Sequence, residues 1–297
     1  MSTFILFIAL AVTLSFPSIL VYLILTDSVR QKARFLEFRK DIPRFTFRLL
    51  ALGSFLWLLS VWTAVSSTQW IDPHLLPTPQ AVAEAFVGLF SGGQVLFDIG
   101  ISVTRILVGF FPAALTGTFI GLLAGNFRSL YAVIIPPNTF VRYIPPTAFI
   151  ALLIVWFGLG EPLKVSLIAL GIFFFLVQMT MDAVRAVPLE YLEVAYTLGT
   201  RRGGVFWRVT LPAALPDIMV IWRINISAAW TFLVVAEFLG ATQGLGRLLN
   251  ESFRYNRIPQ LYATILLIGF IGLIFDLFFE WILMKARLSW RKYYVES

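Results

Sequence analysis

Residues 261–283, LYATILLIGFIGLIFDLFFEWIL, form an unbroken apolar run in which only Asp276 and Glu280 are charged. A run of this length matches the roughly 20 residues that a helix needs to cross a hydrocarbon layer about 30 Å thick. Inside that layer water cannot satisfy backbone N–H and C=O groups, so the segment must pair them internally, as a helix does. Comparable runs occur at 4–25, 46–67, 99–124, 139–158, 163–183 and 217–239. Short segments of alternating polarity, the mark of a membrane barrel, are absent. The chain is therefore expected to be an all-α polytopic membrane protein.

The charges orient the spans. The loop DSVRQKARFLEFRKDIPRFTFR carries Arg30, Lys32, Arg34, Arg39, Lys40, Arg44 and Arg48, which the positive-inside rule places in the cytoplasm. The N-terminus is then outside. The next loop, 68–98, has no Lys or Arg and is expected outside. Alternation continues with Arg128 inside, Lys164 outside and the basic tail KARLSWRKYYVES inside. One loop conflicts: ATQGLGRLLNESFRYNRIPQ carries Arg247, Arg254 and Arg257 yet falls outside. A short amphipathic helix there is preferred to a misplaced span, which would export other basic segments. The net charge of +7 needs no nucleic acid, because cytoplasmic loops of membrane proteins collect Lys and Arg. FILFIALAVTLSF lacks a positive leader and a cleavage site, so it is read as a retained helix.

Catalytic chemistry has little material. There is no cysteine, and the single histidine, His74, sits in the loop segment IDPHLLPTP. Such a chain is poorly equipped for a metal centre or a nucleophilic triad. No G-x-x-x-x-G-K-[ST] loop is present, so ATP binding by this chain is not expected. Internal repeats are not evident.

The passage EYLEVAYTLGTRRGGVFWRVTLPAALP, Glu190 to Pro216, interrupts this apolar pattern. Pro188 suits a first helical turn, and Glu190 and Glu193 suit a helix N-terminus. Leu189, Leu192 and Tyr196 fall at helical spacing as one apolar stripe. Gly199 is a C-cap candidate beside Arg201 and Arg202. Gly203 and Gly204 then allow a turn into a second short helix, VFWRVT, that Pro212 is expected to stop. Two short cytoplasmic helices at an angle are expected.

This passage resembles the EAA loop of ABC importer permeases, with Glu193, Ala195, Gly199, Val209, Leu211 and Pro212 at the motif positions and the spacing intact. Val194 stands where the motif has a first alanine, and Val209 where it has isoleucine. HLLPTPQAV, VRYIPPTAFIALLIVWFGLGE and LVVAEFLGATQGLG resemble stretches of the subfamily that handles nitrate, sulfonates, taurine and bicarbonate. The resemblance runs from about Leu75 to Arg287.

The resemblance implies a type I ABC importer fold, a six-helix-like core with one added N-terminal transmembrane helix. Residues 1–44 would be the added helix and basic loop. Residues 45–283 would be the permease domain, with its core at 98–283 and its coupling loop at 188–216. Residues 284–297 would be a cytoplasmic tail. It further implies a permease homodimer in the bacterial inner membrane, in contact with lipid, served by ABC ATPase subunits and an extracytoplasmic solute-binding protein. ATP and Mg would reside on the ATPase, and this chain would bind no cofactor. Glu193, Ala195, Gly199, Leu211 and Pro212 would form the coupling contact.

Polar residues within spans are costly and usually face a cavity or a partner. Asn138, Arg142, Thr147, Gln178, Asn225, Ser227, Thr231 and Glu237, with Trp230 as a wall, are thus candidates for the solute route. For Arg142 two readings stand: attraction of an anionic solute, or snorkelling or pairing with an acid such as Glu237. Arg105 and Arg223 are expected near span ends, snorkelling. Asp276 and Glu280 are expected to be interfacial or paired. Gly125 with Asn126, and the glycines of 244–246, are expected in turns. Pro136, Pro137, Pro145 and Pro146 should break the approach to the fourth span, and broken helices often border a route. Two other classes compete: an ion-coupled secondary carrier, which would need a coupling-ion site and repeated halves, and a lipid-modifying enzyme, which would need interfacial catalytic groups.

Overall fold

The computed structural model describes residues 44–68 and 71–294. Among them the chain is helical throughout, with helices α1 (Arg44–Ser67), α2 (Pro79–Ser91), α3 (Gln94–Asn126), α4 (Arg128–Arg142), α5 (Ile150–Phe157), α6 (Glu161–Arg185), α7 (Leu189–Thr197), α8 (Leu211–Gly240), α9 (Leu245–Arg254) and α10 (Ile258–Tyr294). Among the described residues, five helices are long and apolar enough to cross a membrane, or six if the bent pair α4 and α5 counts as one span. Five expected spans fall within α1, α3, α6, α8 and α10. The expected helix at 4–25 and nearly all of its basic loop lie outside the described residues. The backbone of α10 continues to Tyr294, so residue 284 is not a helix end.

The expected single span at 139–158 is corrected. α4 and the segment Pro146–Phe157 meet at 84°. Pro145 has an extended ψ of 130°. Its ring, followed by that of Pro146, removes two consecutive N–H donors, and prolines also push the preceding residue out of helical geometry. Pro136 and Pro137, by contrast, are accommodated inside α4.

Two compact units are present, one running to Gly88 with Asn256–Ala263, the other Leu89–Tyr255 with the chain from Thr264. In the first, the Thr78 hydroxyl accepts the Ala81 N–H at 3.3 Å, capping α2 just before Pro79. The carbonyls of this turn are also used: Trp62 Nε1 donates to Pro77 O at 3.0 Å, and the Tyr262 hydroxyl to Leu75 O at 3.1 Å.

The second unit is built on α3, α6 and α8. Gly109, Gly117, Gly121 and Gly125 meet Ile168, Leu176, Thr180 and Val184 in step, so α3 and α6 run parallel. A Cβ at Gly121 would lie 2.7 Å from Thr180 Cβ, and one at Gly125 2.6 Å from Val184 Cβ. Small residues at such spacing let helix backbones approach closely where lipid offers no hydrophobic drive. Gly125 is therefore a packing residue within α3, not a turn as expected. α8 returns antiparallel, its Phe232 ring filling the space beside Gly171. The core below includes Leu122, Val184, Ala214 and Ile218.

Pro212 does not stop the helix. Residues Arg202 to Gly240 form one continuous helical span of 39 residues, about 58 Å at 1.5 Å per residue. Phe206–Thr210 adopts a π-helical turn immediately before α8. Pro212 has no N–H and crowds the carbonyl four residues back, at Arg208. The wider turn relieves that clash, so the helix passes through it. The expected second short helix is thus the root of a span.

Candidate functional site

α7 is anchored on one side only. Ala195 is buried, and Leu192 packs against Leu122, Val184 and Val187. Leu189 and Tyr196, expected on the same apolar stripe, are exposed instead. The exposed face carries Tyr191, Val194 and Leu198, at 57%, 57% and 79% relative exposure, together with Glu190, Glu193 and Thr197. The helix ends as the glycine predicts: Gly199 sits at φ +76°. Its N–H donates to Tyr196 O at 2.9 Å, and Thr200 N–H to Ala195 O at 3.0 Å. This paired closure is the Schellman motif, which needs a left-handed residue at the glycine position. Leu211 joins the core under α7, and Pro212 lies in the first turn of α8.

Arginines dominate this end of the unit. A cleft of about 560 Å³ beside α7 is lined by Arg128, Tyr131, Arg185, Leu192 and Thr210, among others. The Arg185 guanidinium lies 4.1 Å from the Tyr131 ring centre.

The opposite end holds a buried ionic cluster that sequence reasoning largely missed. Glu237 is fully buried. Its carboxylate accepts from Ser102 Oγ at 2.7 Å, Arg105 Nη1 at 2.6 Å and the Gly246 N–H at 2.7 Å. Arg105 also clasps Glu161 through Nε and Nη2, both at 2.6 Å, and donates to Gln243 O at 2.7 Å. Lys164 donates to Glu161 at 2.7 Å. Asp98 accepts from the Gly244 N–H at 2.6 Å and Arg247 Nη2 at 2.7 Å. Arg247 also binds Glu251. Burial alone would lower the Arg247 pKa, but the hydrogen bonds to Asp98 and Glu251 outweigh it and hold it above the ordinary arginine value.

Two glycines make this closure possible. Gly244 has φ +108°, and a Cβ there would lie 2.5 Å from Glu237 Oε1. A Cβ on Gly246 would collide with Glu237 Cβ and the Phe238 backbone. α9 is the amphipathic helix expected in this loop, with Leu245 and Leu248 buried.

Several placements depart from expectation. Arg105 does not snorkel; it is buried and paired. Arg142 does not pair with Glu237; its guanidinium lies 5.6 Å from the Phe175 ring centre. Arg223 is gripped by Asp276 through two bonds of 2.6 Å, with Glu280 at 3.2 Å. Glu237 has no exposed surface with which to meet a solute. The signal for the cluster was present: Asp98, Ser102 and Arg105 share one face of an apolar helix at i, i+4 and i+7.

The other route candidates separate. Asn138 is buried, its amide donating to Phe174 O at 3.2 Å. Asn225 is also buried and donates to Ile221 O at 2.9 Å. Gln178 donates to Asp182, one turn along. Trp230 is buried edge-on against Phe275. Ser227 and Thr231 share an exposed face of α8, and Thr147 is exposed in the turn before α5.

Comparison with known proteins places this architecture. Residues 117–287 match the family model for the binding-protein-dependent transport system inner membrane component. The taurine transport system permease protein TauC of Escherichia coli is 33% identical over 234 residues, covering 77% of this chain and 85% of TauC. The bicarbonate transport system permease protein CmpB of Synechococcus elongatus is 30% identical over 243 residues, covering 79% of this chain and 87% of CmpB. Among solved structures, an inward-facing MetNI methionine ABC transporter superposes with a TM-score of 0.57 at 18% identity. That match covers 65% of this chain and 95% of the other, and it shows a shared fold. A family model over more than half of the chain, and relatives matched along most of their length, establish that this protein belongs to the binding-protein-dependent transport system inner membrane components, the permeases of ABC importers.

Proposed function

We propose that the chain forms the translocation path for a small anionic solute of the sulfonate or bicarbonate type, delivered by an extracytoplasmic binding protein. It draws its energy from a separate ATPase, which holds ATP and Mg and docks on α7. The permease works as a homodimer in a bacterial inner membrane, with its C-terminus and the α7 end in the cytoplasm. The cluster of Arg128, Arg185, Arg201, Arg202 and Arg208 near α7 supports that orientation. The solute class rests on the names of relatives, taurine and bicarbonate permeases. Ser227 and Thr231, on the exposed face of α8, are the best-placed of the route candidates.

The observation that carries the docking reading is the face of α7. Tyr191, Val194 and Leu198 form an apolar surface outside the span segments, on a helix that its Schellman closure and Ala195 hold in place. Apolar surface away from lipid marks a protein partner. A firmly held element of this kind transmits a stroke because it has discrete positions. The test is the double variant Val194→Asp with Leu198→Asp in cells that co-express the cognate ATPase. The ATPase should no longer co-purify and uptake should stop, while the variant still inserts and keeps its melting temperature. Normal co-purification and uptake would show that α7 is not the docking element.

A further inference from the structure

We propose that the cleft beside α7 is an oxyanion site, taking a sulfonate, sulfate or phosphate group between Arg128, Arg185 and Thr210. Among the described residues, no aspartate or glutamate lines the cleft. A second hollow of about 370 Å³ shares Asn126, Arg128 and Leu192 with it and adds Arg202, again without a carboxylate. Among the described residues, Arg128, Arg185 and Arg202 have no ion-pair partner, whereas Arg105, Arg223 and Arg247 each have two. Arg185 stacks over the Tyr131 ring, which orients its planar fork and leaves its N–H donors unused by protein.

Thr210 supplies the independent observation. It is 2% exposed, it lines the cleft, and its hydroxyl has no hydrogen-bond partner among the described residues. A buried hydroxyl without a partner is unfavourable, and an anion at this position would accept its proton. Two guanidinium forks and a hydroxyl suit a tetrahedral oxyanion, which accepts parallel N–H bonds. The volume exceeds what a bare oxyanion fills and leaves room for an organic tail on the charged group.

The walls come from the end of α3 (Asn126), the start of α4 (Arg128), the end of α6 (Arg185), α7 (Leu192) and the root of α8 (Thr210). A bound anion would bridge the span ends to α7. It would bias α7 if its affinity differed between the states that α7 adopts. That regulatory consequence rests on the docking reading above; the binding does not.

The two sources of such a group, a soluble anion and the phosphate of an anionic lipid, are separated by two probes on the full-length permease purified in neutral detergent. In the first, inorganic sulfate is titrated calorimetrically against a chloride background. The wild type should bind it saturably, and Arg128→Gln with Arg185→Gln should weaken binding about 10-fold or more. Thr210→Val should weaken it about 3-fold, and the double lysine variant should recover part of the loss. In the second, protein extracted from vesicles of equal phosphatidylglycerol and phosphatidylcholine is examined by native mass spectrometry. Phosphatidylglycerol enrichment that the glutamine pair abolishes, without sulfate binding, would assign the site to the headgroup phosphate. Equal sulfate affinity and equal lipid enrichment in wild type and both double variants would overturn the proposal. In the complex with its ATPase, sulfate should change the hydrolysis rate of the wild type and not of the glutamine pair. Failure of the ATPase to associate at all would sink the docking reading and leave the binding result standing.

Discussion

The two ends of the α3–α6–α8 unit solve the same electrostatic problem in opposite ways. At the Glu237 end, Asp98, Glu161, Glu237, Arg105, Lys164 and Arg247 satisfy one another. At the α7 end, Arg128, Arg185 and Arg202 have no carboxylate partner among the described residues, and large apolar side chains face outward. The first end pairs its charges within the chain. The second leaves its arginines and its apolar surface open, where the proposed partner protein and anion would bind.

The largest expected effect is at the closed end. Glu237→Gln leaves Arg105 buried with a weakened partner, and breaking such a pair costs about 3–5 kcal/mol. The melting temperature of the purified chain should fall sharply, and Arg105→Met in the same chain should recover part of the loss. A Glu237→Gln protein as stable as wild type would erase the contrast between the ends. A smaller loss is expected for Gly246→Ala, whose added methyl meets Glu237 Cβ and backbone; overpacking of this kind costs about 1–3 kcal/mol. Amide exchange should speed up across α9 and leave α7 unchanged. The smallest effect is at the open end. Gly199→Ala places a Cβ at φ +76°, where nothing else is within 4 Å, so the penalty is the left-handed backbone alone, about 1 kcal/mol. It should loosen α7 and reduce coupled uptake more than it lowers the melting temperature. An unchanged ratio of transport to ATP hydrolysis would show that the Schellman closure plays no part in coupling.

Much of this was visible in residue order. Five spans and the break near Pro145 follow from apolar run length and imino-acid chemistry, and Gly199 follows from the turn that only glycine makes cheaply. Other features were not visible in that way. Pro212 predicts a helix stop by the local rule, but the π turn at Phe206–Thr210 absorbs the clash. Leu189 and Tyr196 share an apolar stripe with Leu192 by spacing, which gives a face but not what covers it. Local sequence puts Arg105 near a span end and does not reveal its pairing, because its two carboxylate partners, Glu161 and Glu237, lie 56 and 132 residues away.

Run length, charge asymmetry and motif spacing determined that this chain is a helical membrane permease and that a short polar helix interrupts its spans near Glu190, because those properties depend on the solvent and on a few consecutive residues. Which polar groups are structural and which are free was decided only when α3, α6 and α8 met. The glycine ladder sets how closely they approach, and that distance decides whether a buried charge finds its partner.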